Sequence, residues 1–352
     1  MNVWIAQLVS YALAMVAMVA PVGFAPVKAT LTPAPRIVWV SQTGSDSNTG
    51  DERASPVRSL RRAHELLCPT DHCPGLGRPV EIRIEPGTYH LPDTTWQYFD
   101  DVHPTRFVPA DWKPGWTWSD VRAAGGRPVL DGRWTTAVGL SFTPRRPSST
   151  GRTNLEFRYL EWSRYDDYAL QIRSRSGQWA AGNLISGNRF HHVGNWWDPS
   201  RTIGYGGLSL WSTSRNTVVG NHFSSIVNAP VDGDSNGHEH GIYMIEASDN
   251  IIRGNRFLDI GGDAVRVANG SDDNLIEANV FERTSNRGHV SDWYCRIVNG
   301  CQKMQRPSHG NVVRGNTFGA FYPAFWTIGP RTVYCYDRPG GACPENRIKL
   351  VP

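Results

Sequence analysis

Lysine is nearly missing from this chain. Of 352 residues only Lys28, Lys113, Lys303 and Lys349 are lysine, yet the net charge is +4, so positive charge rests on arginine. There is no lysine-rich run and no nucleic-acid module, which argues against nucleic acid as a partner. Long apolar stretches are equally scarce. After Val3 to Val19 no segment stays apolar for eighteen residues, so nothing beyond the amino terminus suits a membrane-spanning helix. Charged residues are an ordinary 19% and hydrophobic residues 39%, which excludes a disordered chain and allows a core. The six cysteines form three close pairs, Cys68/Cys73, Cys295/Cys301 and Cys335/Cys343, whose spacings do not match a zinc ribbon. Pairing of neighbours is the expectation, each bridge pinning a surface loop for about 2 kcal/mol.

What is abundant points to turns and to one short unit used repeatedly. Gly 35 and Pro 24 imply many bends, and Trp 14 suits core filling first and stacking on sugar rings second. Arginine forks match carboxylates and sulfates, so a polyanionic substrate is compatible with the charge. Residues 1–29 read as a secretory signal, with Val27-Lys28-Ala29 offering small residues for cleavage; no Lys or Arg precedes the apolar run, so an uncleaved anchor is the alternative. Residues 30–36 are a Pro-rich linker. Ile37 to Ser41 is strand-like, Ser59 to Leu67 carries Leu60, Ala63, Leu66 and Leu67 at helical spacing, and Val80 to Ile84 alternates up to the turn Pro86-Gly87-Thr88-Tyr89.

Five later segments share one pattern, Asn, four residues, Asn, one residue, Phe. They are NLISGNRF, NTVVGNHF, NIIRGNRF, NLIEANVF and NVVRGNTF, running from Asn183 to Phe318. The second asparagines are 33, 34, 24 and 37 residues apart, so the bare unit is 24 residues and the longer gaps carry loops. Asn154 to Trp162 reads as a degenerate earlier copy. So small a unit cannot bury its own apolar face, but stacked copies can. Stacking would align the asparagine amides along the pile and the phenylalanines in the core.

With its WVSQTGSDSNTGDERASPVRSL opening, its PGTY turn and these Asn/Phe units, the chain resembles the pectin-lyase-like superfamily. The resemblance implies an all-β fold, a right-handed parallel β-helix over 37–330, with Ser59 to Leu67 as a short capping helix and 331–352 as a tail. It also implies that one sheet bears the binding groove. The superfamily includes polysaccharide lyases, glycoside hydrolases, uronan epimerases and non-enzymatic adhesins, so fold alone does not name an activity.

Strand alternation locates a candidate site. Leu170, Ile172, Leu208, Leu210, Ile242, Met244, Val265 and Val267 are expected inward. Gln171, Ser209, Tyr243 and Arg266 then form one outward ladder, with Gly207, Gly241 and Asp263 forming the next. Rungs about 4.8 Å apart make Tyr243 and Arg266 neighbours. The loops would add Trp196, Trp197, Arg201, Tyr205, His289 and Tyr294 as substrate contacts. The catalytic candidates are His238, Glu239, His240, Tyr243, Asp263 and Arg266. In β-elimination on a uronate polymer, Arg266 would neutralise the carboxylate, His238 or His240 would act as base, and Tyr243 would protonate the leaving oxygen. Epimerisation could use the same set. His238-Glu239 is similar to part of the Asp-Pro-His-Glu motif of mannuronan epimerases, with Asn236-Gly237 in place of Asp-Pro. A hydrolase using paired carboxylates among Asp232, Asp234, Glu239 and Asp263, or a non-catalytic carbohydrate-binding β-helix, are the alternatives. Asp232, Asp234 and Asn236 also match the first half of a calcium loop whose closing Glu is replaced by Tyr243. No cofactor is required, calcium being the one candidate. The expected protein is secreted and monomeric, acts on an anionic polysaccharide, binds no nucleic acid, and is free of the membrane after signal cleavage.

Overall fold

The computed structural model describes residues 33–70, 73–174, 180–201, 203–229, 238–285, 287–295, 305–322 and 331–352. The signal segment, the calcium-loop residues Asp232, Asp234 and Asn236, and Cys301 lie outside the described residues.

Each repeat unit lays down three short strands, because each contains two bends that no strand can pass. In the unit NLISGNRF, Leu184–Ser186 joins a first sheet, Gly187 turns the chain, and Arg189–Val193 joins a second. Gly206–Trp211 then joins a third sheet, and the chain returns to the first. The bend residue has positive φ in every copy: Gly187 (64°), Gly220 (64°), Gly254 (61°), Ala278 (53°) and Gly315 (57°). A Cβ on Gly254 would meet nothing within 4 Å, so glycine serves the dihedral there and not the packing. The outcome is a parallel β-helix, with one sheet of ten strands, two of eight and one of two among the described residues.

The stacking expected of the repeats is observed. The ring centroids of Phe190, Phe223, Phe257, Phe281 and Phe318 follow one another at 4.8, 5.0, 5.0 and 5.2 Å, the rings nearly parallel throughout. Trp162 extends the column by one rung, 6.0 Å from Phe190, which makes Asn154 to Trp162 the degenerate copy. Two buried asparagine ladders run beside it, Asn183 to Asn311 with amide bonds of 2.8–2.9 Å and Asn188 to Asn316 with bonds of 3.0–3.1 Å. Asn255 is typical. Its Nδ2 donates to Val218 O and Asn279 Oδ1, and its Oδ1 accepts from the backbone N–H and the amide of Asn221. Asn255→Ala would strand several of these groups away from water and is expected to cost about 1–3 kcal/mol by chemical denaturation. An unchanged midpoint would mean that the ladder contributes nothing.

The capping helix is Leu60–Leu67. The Ser59 hydroxyl accepts from Arg62 N, and Leu60, Ala63 and Leu67 are buried against Arg36–Val40 and Thr94–Trp96. At the other end the expected tail is instead part of the coil. Arg331–Cys335 pairs with Gly288–Trp293, and Ile348–Val351 pairs with Asn311–Arg314. Spacing hid this turn because it has no Asn/Phe signature. Disulfides join Cys68 to Cys73 and Cys335 to Cys343, and Cys295 is also disulfide-bonded. Among the described residues no helix is long and apolar enough to cross a membrane.

Candidate active site

The outer face of the third sheet carries the expected ladder. Ser141, Gln171, Ser209, Tyr243, Arg266, Ser291 and Tyr334 pair rung to rung, so Tyr243 and Arg266 are direct neighbours. The second expected ladder fails. A Cβ on Gly207 would lie 2.8 Å from Ile226, and one on Gly241 would lie 2.7 Å from Phe257. Both glycines therefore face the aromatic column, as Leu208 and Ile242 next to them also do. Strict alternation breaks at this point in each turn, and the break moves the outward position back one residue. It brings Tyr168, Gly206 and His240 into line, with Asp263 opposite His240.

Asp263 is fully buried and saturated with donors. Its Oδ2 accepts from Arg266 Nη2 (2.5 Å), Ser291 Oγ (2.5 Å) and Tyr336 OH (2.9 Å), and its Oδ1 accepts from Ser285 Oγ (2.8 Å). Burial acts to raise this carboxyl, but Arg266 and the serine hydroxyls outweigh it and hold it below the ordinary range. Asp263 is thus a fixed anion that aims Arg266, and it does not meet substrate. Arg266 in turn is not a bare cation. Nε and Nη2 are held by Asp263 and Ser291, Tyr336 lies 4.5 Å beneath the guanidinium, and Nη1 makes no hydrogen bond among the described residues.

That cleft, about 250 Å³, is lined by Tyr205, His238, Tyr243, Arg266, Arg287, Trp293 and Tyr336. Tyr205 stacks 6.3 Å from Tyr243 and meets the His238 ring edge-on at 6.3 Å. Burial pushes the Tyr243 phenol up, with Arg266 opposing, so it enters the cleft protonated. His240 lies below this surface and is fully buried. Its Nδ1 lies 3.1 Å from Asp263 O, and burial followed by Arg266 drives its imidazole well below the ordinary value. It is a neutral packing group and cannot be the base. Of the two histidines proposed for that role, the cleft retains His238.

Glu239 is also sealed, with no exposure. Burial and then the neighbouring Asp167 carboxylate push its acid well above the ordinary range, with the Asn228 amide opposing. Asp167 itself is only partly exposed; burial raises it to about 7 against a 3.1 Å bond from Tyr205 N. Unfolding would let Glu239 release its proton near the ordinary 4.5, whereas the fold retains it, so this group makes stability fall as pH rises above that value. Glu239→Gln is expected to gain stability relative to the parent as pH goes from about 5 to about 8. A difference that stays flat in urea titrations over that range would show Glu239 already ionised in the fold.

Several expected substrate contacts lie elsewhere. Trp196 and Trp197 are exposed, but Trp197 packs on Trp134 (5.5 Å) and His192 (5.0 Å), beside the second sheet, and neither lines the cleft. Arg201 forks onto Asp166 at 2.6 and 2.7 Å and pins its own loop. His289 is a core residue, 4.2 Å from Phe321 and bonded to Thr284, with burial lowering it to about 4. Tyr294 follows the third-sheet strand at its far end, where its hydroxyl donates to Asp337 at 3.2 Å. Tyr205 alone of the six reaches the site.

Residues 149–322 match the family model described as right handed beta helix region. The chain is a right-handed β-helix protein. The resemblance read from the Asn/Phe units is thereby borne out. No curated protein sequence matches the chain. Among solved structures, a pectate lyase, Pel9A, is similar over 81% of this chain and 64% of its own, at 16% identity and a TM-score of 0.43. A glycoside hydrolase is similar over 86% and 85%, at 12% identity and 0.49. An alginate lyase from Paenibacillus sp. is similar over 73% and 84%, at 13% identity and 0.44. The β-helix thus spans less than two thirds of that pectate lyase, and likenesses this distant concern winding alone.

Three cleft residues of the β-helix escaped the sequence reading. Trp293 stands in register with Ala268, two positions beyond Ser291 on the same outward face, and aligning HVSDW with VRVA would have found it. Arg287 sits at the start of that same turn. Tyr336 comes from the last turn, which has no repeat signal. Among the described residues the one group with metal-ligand geometry is His64, Cys68 and Cys73, whose cysteines are spent in a disulfide. His191 and His192 sit with Glu161 and Trp134 on the second sheet.

Proposed function

We propose that the β-helix is a polysaccharide lyase whose cleft holds an acidic sugar and breaks its chain by β-elimination. One observation carries this reading: Tyr243 and Arg266 stand on adjacent rungs of one face and line a single cleft with His238. The sugar carboxylate would pair with Arg266 Nη1, assisted by Arg287, which draws charge from the neighbouring C5–H bond. His238 would take the C5 proton. The electron pair forms the C4=C5 double bond, the C4–O bond breaks, and the Tyr243 hydroxyl gives its proton to the leaving oxygen. Transfer from His238 back to Tyr243 through water restores the site. Tyr205, Trp293 and Tyr336 supply an apolar wall of the kind sugar rings stack on.

The Asp263 partner limits how much charge Arg266 offers, and this reading therefore needs both arginines. A second reading, hydrolysis, is favoured by Asp167, a partly exposed acid poised near neutrality beside Tyr205. Its weakness is that the neighbouring Glu239 is sealed from substrate and Asp166 is taken by Arg201. Export directed by residues 1–29 accords with either substrate class. The test is a panel of alginate, pectate, glycosaminoglycans and neutral glycans, followed in parallel for unsaturated uronate by ultraviolet absorbance and for new reducing ends. Both signals rising together on a uronate polymer is the expected result. Reducing ends without absorbance would replace elimination by hydrolysis, and neither signal would remove both.

A further inference from the structure

The second sheet carries a cleft of its own, remote in the winding from Tyr243. It measures about 570 Å³, and its lining includes Trp118, Arg122, Arg127, Glu161, His222 and Arg256. The register explains how it forms. Glu161, Arg189, His222 and Arg256 occupy successive rungs of one outward ladder, so a column of basic groups runs along the coil axis at about 4.8 Å per step. Arg127 leans in from the wall, its guanidinium 3.8 Å over the Trp118 ring.

The charges here do not cancel. Glu161 is the one carboxylate in the lining, and it is shared by Arg127 (3.5 Å), Arg189 (3.8 Å) and His191 (2.9 Å). Arg256 is exposed and makes no ion pair among the described residues. Nε of Arg127 and Nε2 of His222, both in the lining, and Nε of Arg189 on the adjoining rung are buried without a hydrogen-bond partner. Burial and then the surrounding arginines lower His222 to about 4, and burial lowers Arg127 to about 10. Crowding cations around half-buried donors with one shared anion costs stability unless a ligand supplies the missing charge.

We infer that this second-sheet cleft is a separate, non-catalytic binding site for the carboxylate or sulfate groups of an anionic glycan chain. The choice of a glycan rests on the function proposed above; the need for an anion rests on the arginine ladder alone. Arg189 and Arg256 stand two rungs apart on the ladder with the neutral His222 between them, and Arg127 adds a third cation from the wall, a spread that suits a polymer with charges along its length better than a single ion. Single-stranded nucleic acid is disfavoured, because such sites need free aromatic faces for base stacking and the lone ring here, Trp118, is covered by Arg127.

The full chain carrying Tyr243→Phe, in which turnover should be slowed by about 10²–10⁴-fold, is titrated calorimetrically with oligouronates, a sulfated glycosaminoglycan, dextran, sodium sulfate and single-stranded DNA. Arg256→Glu is then added; this exposed residue makes no ion pair among the described residues, so the fold should survive. Expected are binding of an anionic glycan that weakens with salt, no binding of dextran, and a loss of at least about tenfold in affinity with Arg256→Glu. Cleavage of short oligouronates by the single Arg256→Glu variant should be unchanged. The inference is overturned if Arg256→Glu binds as tightly as its parent, if DNA or sulfate ion alone binds as well as the glycan, or if no anionic glycan binds. Because binding is read without turnover, failure of the lyase reading leaves this result interpretable.

Discussion

Arg266→Ala is expected to lower the unfolding free energy by about 3–5 kcal/mol, the usual result of removing one partner from a buried ion pair. Asp263 would be left fully buried with its charge opposed only by hydroxyl donors from Ser285, Ser291 and Tyr336. The double variant Asp263→Ala/Arg266→Ala should be less damaged than the two single losses added together, because neither charge is then stranded. The acid limb adds a signature. Asp263 is held below its ordinary 3.8, so the pair's contribution is complete above that pH and is lost as pH falls through the lower folded value. Arg266→Ala should therefore lose less stability on acidification than the parent does. A variant as stable as the parent in urea would mean that the pair does not organise this cleft, and the aim of Nη1 at the substrate would go with it.

Tyr243→Phe should leave the fold intact and lower turnover on a susceptible uronate polymer by about 10²–10⁴-fold, the range for loss of a positioned acid. The ring remains to pack against Tyr205 and Tyr168, so unfolding midpoints should match. Loss of turnover with KM unchanged would fit a group that acts on the leaving oxygen. Parent-like turnover would move the acid elsewhere, with Asp167 the first candidate.

The scaffold was legible because it repeats. One asparagine or phenylalanine read in five copies fixes both the stacking and the neighbours on each rung, which is why Tyr243 beside Arg266 could be named before any coordinates. Several errors come from local departures from period two. Gly207 and Gly241 look outward by alternation, but they are glycine because a side chain there would enter the aromatic column. The same irregularity buries His240, which a polar-loop reading places in solvent. His289 resembles a loop ligand in the string and is a stacking ring in the core. Arg201 looked like a substrate contact because Asp166, its partner 35 residues earlier, gives no local sign of being near. Tyr336 was invisible for the opposite reason, since its turn joins the coil without the repeat's spacing.

The most direct measurement of the central claim is a crystal structure of the Tyr243→Phe chain bound to an oligouronate that the parent degrades. The account predicts a sugar carboxylate within hydrogen-bond distance of Arg266 Nη1, His238 facing C5 of that sugar, and the ring at position 243 beneath the bond to be broken. An oligouronate seated only on the second sheet, with the Arg266 cleft holding none of it, would contradict the account.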